Sequence, residues 1–87
     1  MNITDVRVRR VESESKIRGV ASITIDDEFV VHDIKIVQGE TGLFIAMPSK
    51  KNADGQYRDI AHPIRPETRS MLQELILRKY SEQFFEI

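Results

Sequence analysis

The chain has no cysteine. Neither a disulfide framework nor a thiolate metal site can form, which fits a cytoplasmic setting. No apolar run approaches the roughly 20 residues that a membrane span needs. The N-terminus lacks the apolar core of a signal peptide. There is no internal repeat, low-complexity stretch or linker. An excess of charge of one sign is missing too. Thirteen Lys and Arg stand against 14 Asp and Glu, for a net charge of −1 and a pI of about 6.1. Nucleic-acid-binding domains are often strongly basic, so total charge alone speaks against that class.

What remains is globular in character, with 40% hydrophobic and 31% charged residues. Eighty-seven residues make a single domain, 1–87. A chain this short buries a modest share of its surface, and oligomerisation would help it. Acidic residues gather at Asp26, Asp27, Glu28 and Asp33. Basic ones gather at Lys50, Lys51, Arg58, Arg65 and Arg69, diluted by Asp54, Asp59 and Glu67. A local basic face on a mildly acidic protein is compatible with this distribution.

Alternation predicts strands first. Residues 3–11 put Val6 and Val8 on one face, Arg7 and Arg9 on the other. Residues 17–26 put Ile17, Gly19, Ala21, Ile23 and Ile25 on one face, with Arg18, Ser22 and Thr24 opposite. A turn at 26–28 leads to a third strand over 29–37, with Val30, Ile34 and Ile36 inward and Asp33 and Lys35 outward. Residues 43–47 are apolar throughout, which predicts a strand covered on both sides. Asp54-Gly55 marks a hairpin turn, because glycine takes φ > 0 at no steric cost. A loop over 52–55 pairs Lys51 with Gln56 and Lys50 with Tyr57, with Arg58 diagonal to Lys50. Residues 57–61 complete the hairpin as a fifth strand, and five short strands with short turns favour an antiparallel meander.

The helix begins after Ile64. Pro66 suits its first position and Glu67 its positive end. Met71, Leu72, Leu75, Ile76, Tyr80 and Phe84 recur at helical spacing, and Leu77 widens the apolar arc. The arc is about twice the stripe of roughly 100° that one sheet requires. The surplus fits a second subunit, a wide stripe under a twisted sheet, or frayed exposed residues near the terminus.

No catalytic constellation is visible. His32 and His62, with scattered carboxylates, do not form a metal-ligand signature. His32 shares the inward face with Val30 and Ile34 and reads as a core or rim histidine. His62, held extended by Pro63, reads as a packing residue where sheet meets helix. Ser49, Asp59 and His62 lack a nucleophile elbow. Residues 39–42 are too short and too acidic for a phosphate loop. No metal and no organic cofactor is expected, and no enzyme activity. The basic residues are the better candidates. Arg65 and Arg69 lie four apart on one side of the first helical turns, and a helix N-terminus attracts phosphate. With Lys50, Lys51 and Arg58 they form a candidate phosphate-binding face, with Tyr57 placed for base stacking.

The segment FIAMPSKKNADGQYRDIAHPI (44–64) resembles the SpoVG family of bacterial septation and sporulation regulators. ITDVRVRR (3–10), ASITIDDEFVVHDIKIVQGETGLF (21–44) and the closing helix share the likeness, which spans roughly residues 1–80. Family members often carry an acidic segment after the helix, where this sequence has only Glu82 and Glu86. The resemblance implies a homodimer that binds DNA or RNA, and it places Lys50, Lys51 and Arg58 in the matched block. It also turns the surplus helical arc towards a dimer contact at Leu77, Tyr80 and Phe84. The combined expectation is an α+β domain with an antiparallel sheet of about five strands and one C-terminal helix, dimeric. Its partners would be itself and DNA or RNA, with no membrane. The rival is a protein-interaction module that acts on division or regulatory proteins through a sheet edge or the helix.

Overall fold

The computed structural model describes residues 1–84. Its elements are β1 (Ile3–Arg10), β2 (Ile17–Ile25), β3 (Phe29–Gln38), β4 (Leu43–Ala46), β5 (Ser49–Lys51), β6 (Tyr57–Asp59) and α1 (Pro66–Phe84). β1 to β4 form one antiparallel sheet in chain order, and β5 and β6 form a separate hairpin. The α+β meander with one C-terminal helix is as the alternation predicts. The main sheet has four strands rather than five because the long apolar run breaks at Pro48. Proline offers no N–H to a ladder.

Helix α1 lies on one face of the sheet. Leu72 and Ile76 are buried there against Ala21, Ile23, Ile34, Ile36, Ile45 and Met47. The alternation of β1 and β2 holds, with Val6 and Val8 packed on this core and Arg7 and Arg9 exposed. Gly19 is needed where the helix comes closest. A Cβ there would meet the Arg9 carbonyl at 3.1 Å and Tyr80 Cε2 at 3.3 Å. Leu77 and Tyr80 pack on the same core, and Phe84 sits against Tyr80 with ring centroids 5.4 Å apart. Much of the wide helical arc therefore finds its partner within the chain.

Two sequence expectations fail on this sheet. The first concerns β3. Val30 and His32 point away from the core and Val31 points in. The cause is a bulge. Ala21 pairs with Ile34 but Ile23 with Val31, so β3 carries one extra residue, with Asp33 at φ 62°. An extra residue reverses the faces beyond it. His32 is thus an exposed residue of the outer face, not a core or rim one. The second concerns β4, which is covered on one side only. Ile45 is fully buried while Phe44 is 42% exposed. The described residues form no second layer over Phe44.

The turn at 26–28 forms as expected. Asp26 and Asp27 take φ 53° and 56°, and the Glu28 N–H donates to the Ile25 carbonyl at 3.0 Å. Two left-handed central residues make the primed turn that suits strand twist.

Both outward backbone groups of Ile45 are satisfied by helix side chains. The Ile45 N–H donates to Gln73 Oε1 at 3.1 Å, and its carbonyl accepts from Arg69 Nη2 at 3.0 Å. The β4 edge is closed by α1 in place of a fifth strand. Gln73→Leu should leave a buried N–H unpaired and cost about 1–3 kcal/mol. Arg78→Ala, which breaks only an exposed pair with Glu74, should cost about 0.5 kcal/mol or less. Urea midpoints of the two variants measure the difference. Equal midpoints would deny Gln73 this role.

Candidate nucleic-acid interface

The β5–β6 hairpin stands apart from the sheet, and all six of its strand residues are exposed. Two strands alone are marginal in water. The radius of gyration, 13.2 Å, exceeds the roughly 12 Å of a compact chain of this length, as a projecting arm would produce. The Ile60 N–H donates to the Pro48 carbonyl at 2.7 Å and ties the base of the arm.

The register differs from the expected one. Lys50 faces Arg58, Lys51 faces Tyr57 and Ser49 faces Asp59. The loop holds one residue more than the Asp-Gly signal suggests. The Gly55 N–H donates to the Asn52 carbonyl at 3.0 Å, and the Asn52 N–H donates to the Gln56 carbonyl at 2.6 Å. Gly55 takes φ 86°, the left-handed position of a three-residue turn with a bulge. The shift sets Arg58 directly opposite Lys50 rather than diagonal to it. Opposed residues share a face, with Cβ atoms about 4.5–5.5 Å apart. Lys50 and Arg58 therefore form a paired cationic site on one face of the arm, while Lys51 and Tyr57 share the other. Neither Lys50 nor Arg58 has an ion-pair partner among the described residues.

The helix-start cations behave differently. Arg65 precedes Pro66, and its carbonyl accepts the Arg69 N–H at 3.1 Å. Its side chain is exposed, with Glu67 Oε1 at 3.6 Å. Arg69 holds the Ile45 carbonyl and so serves the fold. The two do not converge on a shared ligand position as their spacing suggests. His62 is exposed, with Nδ1 3.1 Å from the Pro63 carbonyl. It borders a cleft of about 120 Å³ between sheet and helix, beside Met47 and Leu72. No group of three or more His, Asp or Glu gathers among the described residues in a way that could hold a metal. No described helix is long and apolar enough to cross a membrane.

The open face of the sheet is a feature that sequence reading passed over. Arg9, Val20, Lys35 and Ala46 form one cross-strand row. Beside it a shallow groove of about 460 Å³ is lined by Arg7, Arg9, Ser22, His32 and Asp33. Arg7 Nε donates to Asp5 Oδ2 at 2.9 Å, and this bond holds the Asp5 carboxyl below its ordinary pKa. The stabilisation is present above the ordinary carboxylate pKa and is lost as pH falls through the lowered one. The outward placement of Arg9 and Lys35 was legible in the alternation. Their shared row needed the pairing register.

The SpoVG family model matches residues 1–82. The chain belongs to the SpoVG family. It is 66% identical to the septation protein SpoVG of Lachnospira eligens, across 94% of this chain and 93% of the relative. The counterpart from Agathobacter rectalis is 64% identical, across 95% of each chain. Septation protein SpoVG 2 of Listeria monocytogenes is 58% identical, across 92% of this chain and 78% of the relative. The family likeness read over roughly residues 1–80 thus matches the span of the family model, 1–82.

The opposed Lys50–Arg58 pair should strain the hairpin slightly. Arg58→Ala should strengthen the arm by a few tenths of a kcal/mol, about what cross-strand charge pairs contribute. Amide exchange at Asn52, whose N–H donates to the Gln56 carbonyl, measured at low salt, should slow. Faster exchange would mean that Arg58 supports the arm by packing.

Proposed function

We propose that the protein is a non-catalytic, homodimeric regulator that binds DNA or RNA and serves septation, sporulation or related gene regulation. The observation that carries the reading is the Lys50–Arg58 pair. Two cations face each other on an exposed arm with no acidic partner among the described residues. Like charges directly opposite are unfavourable, and a phosphate between them would reverse the sign. Lys51 adds charge and Tyr57, 70% exposed, offers a ring for stacking. The names of the relatives support the septation part of the reading. Arg65 contributes from the helix start, and Arg69 only indirectly, by fixing that helix to β4.

Lys50→Ala with Arg58→Ala should weaken binding to all sequences. It should lower the slope of log affinity against log salt by about 0.7–0.9 for each phosphate no longer neutralised. Lys16→Ala with Arg78→Ala removes the same charge elsewhere and should change the slope little. Anisotropy titrations from low to high salt measure both. Equal effects would remove the hairpin from the site, and no binding by the wild type would favour the protein-interaction rival.

The dimer is supported by the apolar surface that the chain leaves open. Ile60 is 68% and Ile64 is 89% exposed, next to the arm. Burying such side chains against a second copy would remove apolar surface from water. Leu77 and Tyr80 are half-covered by the chain's own core, so they contribute at most their outer edges. Sedimentation at micromolar concentration should give about twice the 10.1 kDa of one chain. Ile60→Glu with Ile64→Glu should return it to one chain, because the change sets charges in an apolar contact. A wild type that sediments as one chain would end the dimer reading.

A further inference from the structure

We propose that the open face of the four-stranded sheet is a second contact surface, specific for single-stranded nucleic acid. Arg9 and Lys35 would hold phosphates there and Phe44 would stack on a base. The inference rests on the nucleic-acid reading above but uses different residues.

Among the described residues nothing covers this face, because α1 lies on the opposite side. Arg9 and Lys35 lie in the same row with Val20 between them. Two strand spacings separate them by roughly 10 Å. Neither has an ion-pair partner among the described residues. Arg7 is already bonded to Asp5, and Asp33 is the acidic residue beside His32. Phe44 lies diagonal to Lys35, since Lys35 pairs with Ala46 and Val37 with Phe44. Such diagonal neighbours sit about 7–8 Å apart, within the reach of one nucleotide.

Phe44 has the form of a stacking platform. One part of its ring rests on Gly39, where a Cβ would come within 3.0 Å of Cε1 and 3.2 Å of Cδ1. The rest is exposed. A ring backed along one edge by Gly39 and 42% exposed suits an unpaired base, whose face a duplex would hide. The same charges disfavour a second copy as occupant. Two such faces pressed together would set Arg9 and Lys35 in a shared apolar contact with like charges.

The test uses a labelled 12-nucleotide strand of mixed sequence, as DNA and as RNA, and the corresponding DNA duplex. Phe44→Leu keeps an apolar residue on the strand and removes the ring. It should weaken single-strand binding about tenfold and duplex binding less than twofold. Arg9→Gln with Lys35→Gln should weaken single-strand binding and flatten its salt dependence. Ultraviolet crosslinking of the wild type to the strand, read by mass spectrometry, should mark the peptide that contains Phe44. If both sheet variants bind the strand as the wild type does while Lys50→Ala with Arg58→Ala fails, the sheet inference is wrong and the hairpin reading stands. The reverse pattern keeps the sheet face and removes the hairpin. Equal weakening on strand and duplex would overturn the single-strand preference. A wild type that binds neither overturns both readings.

Discussion

Helix α1 reaches β4 through Gln73 and Arg69 at one end and Gly19 of β2 through Tyr80 towards the other. This diagonal docking on one face decides what the rest of the chain is free to do. A sheet needs at least one covered face to be stable, and the described residues supply one helix for the purpose. The opposite face is left to water. The Ile34, Ile36, Ile45 and Ile76 side chains, all fully buried, hold the core on the helix side. The row of Arg9 and Lys35 is then available on the other side without loss of stability.

The edges follow from the same docking. An open edge strand invites pairing with another chain. At β4 the invitation is withdrawn at Ile45, whose N–H and carbonyl are both taken by the helix. At β1 the first strand carries Asp5, Arg7, Arg9 and Arg10 and a register irregularity between Ile3 and Asp5. Charge and irregular pairing both blunt an edge. A rival function through strand addition therefore has little to add to. Exposed apolar positions lie both at the base of the arm, at Ile60 and Ile64, and on the sheet, at Phe29, Val30 and Phe44, which favours a contact through side chains.

Much of this was legible in the residues and some of it was not. The alternation in β1 and β2 named the inward valines and isoleucines, because nothing interrupts the period of two where the core is built. Pro66 and the spacing of Leu72 and Ile76 named the helix and its buried face. The faces of Val30 and His32 were misread because a bulge at Asp33 leaves the composition of β3 unchanged while it reverses the pattern. The hairpin register was missed by one residue, since Asp54-Gly55 serves a longer bulged loop as well as a tight turn. Arg69 looked like a ligand-binding cation because its partner, a carbonyl 24 residues earlier, leaves no trace in local sequence.

The near-neutral total charge bears on how such a protein would bind. At a net charge of −1 the molecule as a whole does not attract a polyanion, and long-range steering is weak. Contacts then depend on where cations stand without acidic partners. Arg7, Arg65 and Arg78 each have a carboxylate nearby. The opposed pair on the arm and the row on the sheet have none among the described residues. The acidic turn at Asp26, Asp27 and Glu28 lies at the end of the β2–β3 hairpin rather than within either set. Two modest cationic surfaces on one chain, duplicated in a dimer, would each be weak and strongly screened by salt. Engaged together by one strand, they act at high effective concentration. Affinity in that design comes from geometry more than from charge. A strand long enough to reach both surfaces would bind more tightly than one that reaches either alone.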